Sequence, residues 1–300
     1  MTVCTRRHFL KASVAGTAMA VVSPRLAPAA QPTNFSGTGL VPLGKTGIKV
    51  TRLAQGTGFN GYNHTSEHTR RGKASFDRLV RHSLDQGVRF IDMADLYGSH
   101  SFVKDLIKDL PRDKFALLSK IWPRKESWVT PSGGAKQEVE RFCKELGVER
   151  IEVCLIHCMG NDRWPTEFER VRDELSDLKQ KGMVGAVGVS CHDFGAMKVA
   201  AKHPWVDVLL ARVNHKCGKD YACDASAREV AELLKTARSN GKAVIGMKIF
   251  GAGKLVKPEE KDASLKHVFT SGLVDAITVG MLEPKEVDDT LKRMGQVSAA

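Results

Sequence analysis

Eight short apolar runs alternate with eight segments of helical period across about 250 residues, glycines close five of those segments, and no G-x-G-x-x-G fingerprint follows the first run. Together these observations predict a single-domain α/β protein folded as a (β/α)8 TIM barrel. A doubly wound sheet is the competing architecture, and it wants the fingerprint directly after its first strand. The nearest approach, "GAGKLV" at 251–256, lacks the third glycine and follows the seventh strand.

In chain order, residues 1–29 read as a leader. Arg6 and Arg7 are followed by Phe9, Leu10 and Lys11, then by the weakly apolar run 12–22 and an Ala-x-Ala site at 27–29. That is the order of a twin-arginine signal peptide, which exports proteins already folded. The expectation is folding in the cytoplasm, transient engagement of the twin-arginine translocase, and release to the periplasm or beyond. The apolar run is too short for a permanent span, so no stable membrane association is expected. Residues 30–48, rich in Pro, Gly, Thr and Ser, read as a linker and leading hairpin, and 49–300 as the barrel.

Within the barrel the strands are predicted at 50–57, 89–94, 115–122, 151–158, 184–190, 206–214, 243–250 and 275–281. The helices are predicted at 74–87, 99–110, 135–146, 166–182, 193–202, 225–240, 264–272 and 284–294. In 166–182, Phe168, Val171, Leu175 and Leu178 recur at three- and four-residue steps among charges, the pattern of a helix with one buried face. Gly87, Gly147, Gly182, Gly241 and Gly272 stand where helices end.

The formal net charge is +12. Arg6, Arg7, Lys11 and Arg25 lie in the leader, which has no acid, so +8 remains for the rest. The basic residues are dispersed and no aromatic-interleaved basic patch appears, so no nucleic-acid partner is expected. Six cysteines follow the leader. His215, Cys217 and Cys223 cluster without paired C-x-x-C spacing, so no metal site is expected. Folding before export argues against an obligatory disulfide scaffold and for plain buried or loop cysteines.

The chemistry sits at strand ends. Catalytic groups of such barrels occupy the C-terminal ends of the strands. Asp92 and Tyr97 follow strand two in "FIDMADLYG", Lys120 ends strand three, and His157 ends strand four. Each alone reads as readily as a cap, a lid, a snorkelling chain or a core histidine. Their arrival at three adjacent strand ends puts them at one spot. There Asp92 would hold Lys120 charged, and Lys120 would lower the pKa of the Tyr97 phenol. His157 would orient a substrate oxygen. Such a set suits proton transfer at a carbonyl oxygen while a cofactor delivers hydride to carbon. Asp95 is expected as a structural partner in the same loop.

The same residues resemble the aldo-keto reductase family. "FIDMADLYG", "LLSKIW" and "LIHC" are similar to its stretches carrying the catalytic Asp, Tyr, Lys and His, and the likeness runs from about residue 40 to 295. "VPLGKTGIKVTRLAQGTG" resembles its leading hairpin and first strand, and "VGAVGVSC" its Gly-Val-Ser stretch. The resemblance implies a nicotinamide-dependent oxidoreductase interconverting a carbonyl and an alcohol, with Tyr97 as acid and base. It implies cofactor contacts from Gly56, Thr57, Ser190, Cys191, Leu210, Met247, Lys248, Gly251, Gly253, Lys254, Met281, Glu286 and Asp289.

Departures from the family pattern cluster around the cofactor. Cys191 stands where Asn is usual, Leu210 replaces a Gln, and Met247 replaces a stacking aromatic residue. Glu286 stands near where NADP users carry Arg, which favours NAD(H) over NADP(H). Arg70, Arg71, Arg124 and Arg163 and the walls Trp122, Trp128 and Trp164 are expected around the substrate, with Trp122, Trp164 and Arg163 foremost. A second reading keeps the fold and cofactor binding without turnover, because positions 191, 210 and 247 have drifted.

Overall fold

The computed structural model describes residues 34–124 and 134–298. The leader and Trp128 lie outside the described residues. An antiparallel hairpin, β1 (Leu40–Pro42) and β2 (Lys49–Thr51), leads into eight parallel strands. These are β3 (Leu53–Gly56), β4 (Phe90–Asp92), β5 (Ala116–Ile121), β6 (Ile151–Met159), β7 (Val184–Cys191), β8 (Val208–Arg212), β9 (Ala243–Met247) and β10 (Ala276–Val279). They hydrogen-bond in chain order, and β10 closes back on β3. The predicted (β/α)8 barrel is therefore the observed fold.

Helices cover the outside: α1 (Glu67–Arg70), α2 (Lys73–Asp85), α3 (His100–Ile107), α4 (Ala135–Leu146), α5 (Trp164–Glu167), α6 (Glu169–Gln180), α7 (Phe194–Ala200), α8 (Ala227–Ser239), α9 (Pro258–Thr270) and α10 (Pro284–Gln296). The five predicted C-terminal glycines all adopt positive φ.

Some boundaries shift, each for a local reason. The first predicted strand is two strands, because the chain turns at Arg52 and Thr51 folds its hydroxyl onto the Leu53 carbonyl. The helix predicted at 166–182 breaks at Phe168 into α5 and α6. The helix predicted from 264 begins at Pro258, where a proline in the first turn and Glu259 and Glu260 suit a helix start.

The strands sort their residues by parity. Ala54, Phe90, Ala116, Leu118, Val153, Leu155, Ala186, Val208, Leu210, Ala243, Ile245 and Ala276 fill the barrel interior. Val41, Leu43 and Val50 of the hairpin complete that cluster and plug the barrel floor. The intervening residues, such as Leu53, Ile91, Leu117, Ile156, Val189 and Cys191, pack outward under the helices. Side chains two residues along from the interior set therefore point into the barrel one layer nearer its mouth.

One feature departs from the cysteine expectation. Cys217 and Cys223 form a disulfide across the loop between β8 and α8. The two cysteines stand six positions apart in sequence and their Cα atoms are 5.0 Å apart, within the reach of a bridge. Cys143, Cys154, Cys158 and Cys191 are free.

Candidate active site

Parity explains why a buried strand ends in polar residues. Asp92 follows Phe90, Lys120 follows Leu118 and His157 follows Val153 and Leu155 on the inward rows. All three point into the barrel above its apolar layers. Tyr97 reaches the same place from a 3-10 turn, Asp95–Tyr97, beyond β4.

The four groups meet. Lys120 is 1% exposed and its ammonium contacts Asp92 directly, also donating to the Met93 carbonyl at 2.7 Å. The second Asp92 oxygen accepts from Thr278 at 2.8 Å. The ammonium lies 4.8 Å from the centroid of the Tyr97 ring. The Tyr97 hydroxyl is 3.3 Å from His157 Nε2, and the two rings stand edge to face.

The Tyr97 ring is gripped on both edges by the loop after β3. A Cβ on Gly58 would fall 2.1 Å from one edge, and a Cβ on Gly61 would fall 2.4 Å from the other. Only glycine permits that approach.

The electrostatics correct one expectation. The phenol pKa is raised well above its ordinary value, first because burial disfavours the phenolate and then because Asp92 and Cys158 are near. Lys120 does not lower it, since the ammonium is aimed at Asp92 and the Met93 carbonyl rather than at the hydroxyl. His157 is held neutral: burial first, then Lys120 and His192, push its pKa well below 6.5. Its Nδ1 is buried without a partner.

Beside the quartet, a cavity of about 390 Å³ runs between the loops after β3, β9 and β10, a size in the range of small-molecule sites. Asp92, Tyr97, Met247 and Lys248 line it at or just beyond the strand ends, and Lys261, Glu286 and Thr290 from α9 and α10. Gly56, Gly58, Gly253 and Gly280 leave stretches of its wall bare of side chains.

The predicted cofactor contacts therefore divide. Gly56, Met247, Lys248, Gly253, Met281 and Glu286 line the cavity. Ser190 points inward on β7, where its hydroxyl accepts from the Cys158 amide at 2.9 Å. Gly251 is buried in the turn after β9, and Lys254 is exposed away from the wall. Four expectations are corrected. Cys191 packs in the outer cluster because one step of the strand period flips it away from the barrel. Leu210 is sealed in the interior cluster. The Thr57 hydroxyl is committed to the Asp92 carbonyl and Ser99, both at 2.9 Å. Asp289 faces Lys261 at 3.2 Å and Arg293 at 2.9 Å rather than the cavity wall.

Around the substrate side, Trp122 meets His157 edge to face at 6.1 Å, with Arg124 stacked on its ring. Trp164 is corrected: it is fully buried under the helices, donates to the Ala196 carbonyl and packs on His203 and Trp205. Arg163 is exposed in the loop before α5, off the cavity wall. Arg70 and Arg71 are engaged by Glu67, and Arg71 also by Glu283.

Sequence reasoning missed several neighbours. Arg212 ends β8 on its inward row, pairs with Asp224 and donates to the His192 carbonyl at 2.8 Å. Cys158, in a left-handed conformation where β6 bulges, sits 3.6 Å from His192 Nε2. Counting the β8 alternation Val208, Leu210, Arg212 would have found the arginine, whereas nothing local announces the bulge.

Comparison with known proteins agrees with this geometry. The family model "Aldo/keto reductase family" matches residues 56–291. The chain is similar to "Probable aldo-keto reductase 1" of Glycine max, 27% identical over 156 residues, or 50% of this chain and 44% of that protein. It is also similar to the "NADH-specific methylglyoxal reductase" of Escherichia coli strain K12, 24% identical over 218 residues, or 67% of this chain and 64% of that one. The match thus spans about half to two thirds of the length of these curated relatives. In fold it resembles the crystal structure of PA4992 from Pseudomonas aeruginosa, with a TM-score of 0.70 at 23% identity, covering 88% of this chain and 97% of that one. With the model spanning most of the barrel, the chain belongs to the aldo/keto reductase family.

Proposed function

We propose that this protein is a nicotinamide-dependent oxidoreductase that interconverts an aldehyde or ketone and its alcohol, with Tyr97 transferring the proton. The observation that carries the reading is the meeting of the Tyr97 hydroxyl with neutral His157 at 3.3 Å over the Lys120–Asp92 pair. Family membership supports the cofactor class, and the cavity beside the quartet has the size and bare glycine walls for part of a dinucleotide. Gly56, Met247, Gly253, Met281 and Glu286 would hold it, and when bound it supplies or accepts the hydride.

The chain's own residues handle the proton. A phenol with a raised pKa stays protonated at neutral pH, so it can donate to a carbonyl oxygen as charge builds there. The phenolate left behind is disfavoured by burial and by Asp92, which drives a proton back onto it. Neutral His157 can place its Nε2 against the same oxygen without competing as an acid.

Where α9 and α10 line the cavity, Glu286 is fixed by accepting from the Leu282 amide at 2.6 Å, and Lys261 is already paired with Asp289. An immobile carboxylate and a neutralised lysine favour a free ribose over a 2′-phosphate, which supports NAD(H). The test measures NADH and NADPH binding and carbonyl reduction in parallel for wild type and Tyr97→Phe. Loss of kcat by about 10²- to 10⁴-fold with cofactor affinity kept is the expected result. Full turnover in the variant would remove Tyr97 from the mechanism.

The twin-arginine leader further supports export of the folded enzyme to the periplasm, where the Cys217–Cys223 bridge would persist. Fractionation of cells expressing the full chain, wild type against the double variant Arg6→Lys with Arg7→Lys, tests the route. Equal export of both would refute it.

A further inference from the structure

We infer that the barrel mouth is built for a carbonyl substrate carrying a carboxylate, held by the ammonium of Lys248. The inference rests on the oxidoreductase reading for the site it names, but its evidence is the charge balance around the quartet.

Lys248 follows the last residue of β9 in a left-handed conformation, φ 58°. Its carbonyl is pinned by the Asn214 side chain at 3.2 Å and the Gly251 amide at 2.9 Å. The pinned backbone sends the side chain into the cavity that Asp92 and Tyr97 also line.

Two other cations in and beside the quartet are paired. Lys120 is neutralised by Asp92, and Arg212 by Asp224. Asp193 accepts from the Ala196 amide as the cap of α7. His157 and His192 are neutral at physiological pH, the latter with its pKa pushed to about 3 by burial first and then by Arg212, Lys248 and Lys120. Among the described residues, no carboxylate lies within 4.0 Å of the Lys248 ammonium and no hydrogen bond engages it. Lys248 is therefore, among the described residues, a half-buried cation on the cavity wall without a partner, whereas Arg124 is exposed and lies on the Trp122 ring. Burial first and Arg212 second bring the Lys248 pKa below the usual lysine range.

The position of this charge decides between two anionic partners. Met247 stands in register with Arg212 on neighbouring β8, so Lys248 leaves β9 at the mouth beside Arg212, and Arg212, Cys158, Lys120 and Asp92 all bear on its ammonium. Glu286 and Lys261 line the same cavity from α10 and α9. An anion seated at Lys248 would thus sit beside the carbonyl that Tyr97 protonates, in the same small molecule. Trp122, edge to face with His157, gives that molecule an apolar wall.

The test separates binding from chemistry. Titration calorimetry on the full chain with NADH present compares benzoate with benzamide, which match in shape and differ in charge. Reduction of 4-carboxybenzaldehyde is compared with that of its methyl ester. Wild type is expected to prefer each anion by roughly 10- to 100-fold, and Lys248→Met to collapse both preferences. Lys248→Arg should restore much of the preference. Equal affinity for benzoate and benzamide in wild type would overturn the inference, as would a benzoate preference surviving in Lys248→Met. Loss of NADH affinity in Lys248→Met with the benzoate preference intact would assign the ammonium to the cofactor and overturn it as well. A Lys248-dependent benzoate preference without reduction of either aldehyde would uphold the anion site and refute the oxidoreductase reading.

Discussion

Replacing Gly58 by alanine adds one methyl group and tests whether the Tyr97 ring must sit where the structure puts it. Gly58 is absent from the positive-φ residues, so its backbone accepts alanine, and in open space the change would stabilise the fold slightly by stiffening the unfolded chain. Here the new Cβ would fall 2.1 Å from the ring, against 3.4 Å for an ordinary contact, so ring or loop must yield by about 1.3 Å. Gly61 blocks the opposite edge, so the ring cannot slide sideways to make room. It must tilt, carrying the hydroxyl away from its 3.3 Å approach to His157. A misplacement of about 1 Å at a reacting group costs on the order of 100-fold in kcat, or about 2.7 kcal/mol. The assay is steady-state carbonyl reduction with NADH, alongside thermal unfolding and NADH affinity. Gly160→Ala, at a site with nothing within 4 Å, is the control. A folded Gly58→Ala variant with kcat within about threefold of wild type would refute the claim that Tyr97 works from this position.

Two further outcomes follow from burial and from the bridge. Buried His68, His157 and His192 all have lowered pKa values, with His68 at about 4 and His192 at about 3. The unfolded chain binds these protons from pH 6.5 downward while the native state refuses them, so stability holds above 6.5 and falls as acid is added. His68 alone contributes a loss on the order of 3 kcal/mol by pH 4, to be read from urea unfolding midpoints between pH 7 and 4. A flat profile over that range would refute it. Replacing Cys217 and Cys223 by serine removes a short-loop bridge worth about 2 kcal/mol, measurable as a lowered midpoint. Because Asn214 bonds both Cys223 and the Lys248 carbonyl, the loop lining the cavity should loosen and NADH affinity should fall with it. Unchanged affinity would mean the bridge braces only its own loop.

The barrel and the quartet were legible for the same reason. Apolar runs with a period of two define an inward row, and Asp92, Lys120 and His157 interrupt that row at the strand ends. The errors arose where that count was not carried through. Ser190 is inward, so Cys191 had to be outward, and Arg212 had to be inward. Trp164 looked like a rim residue because it follows a strand, but the Pro165 beside it starts a helix that turns the indole under the shell. The Cys217–Cys223 pairing and the bulge at Cys158 depend on how distant loops close, and no local pattern encodes them. The direction of the Tyr97 shift is not legible in the sequence, because proximity to Lys120 is not the same as facing its ammonium.

Asp95, two residues before Tyr97, is 2% exposed and bonds Arg141 of α4 at 2.6 Å. Arg141 also holds Glu145, which holds His100, whose other nitrogen bonds Ser119 one residue before Lys120. A chain of ion pairs and hydrogen bonds on the outer shell thus connects the two sides of the quartet by a route that never enters the barrel. Variation at Arg141 would surface as altered turnover with no residue of the cleft changed. Ranking positions by their distance from the substrate would therefore score as silent a helix that keeps the acid and its cation in line.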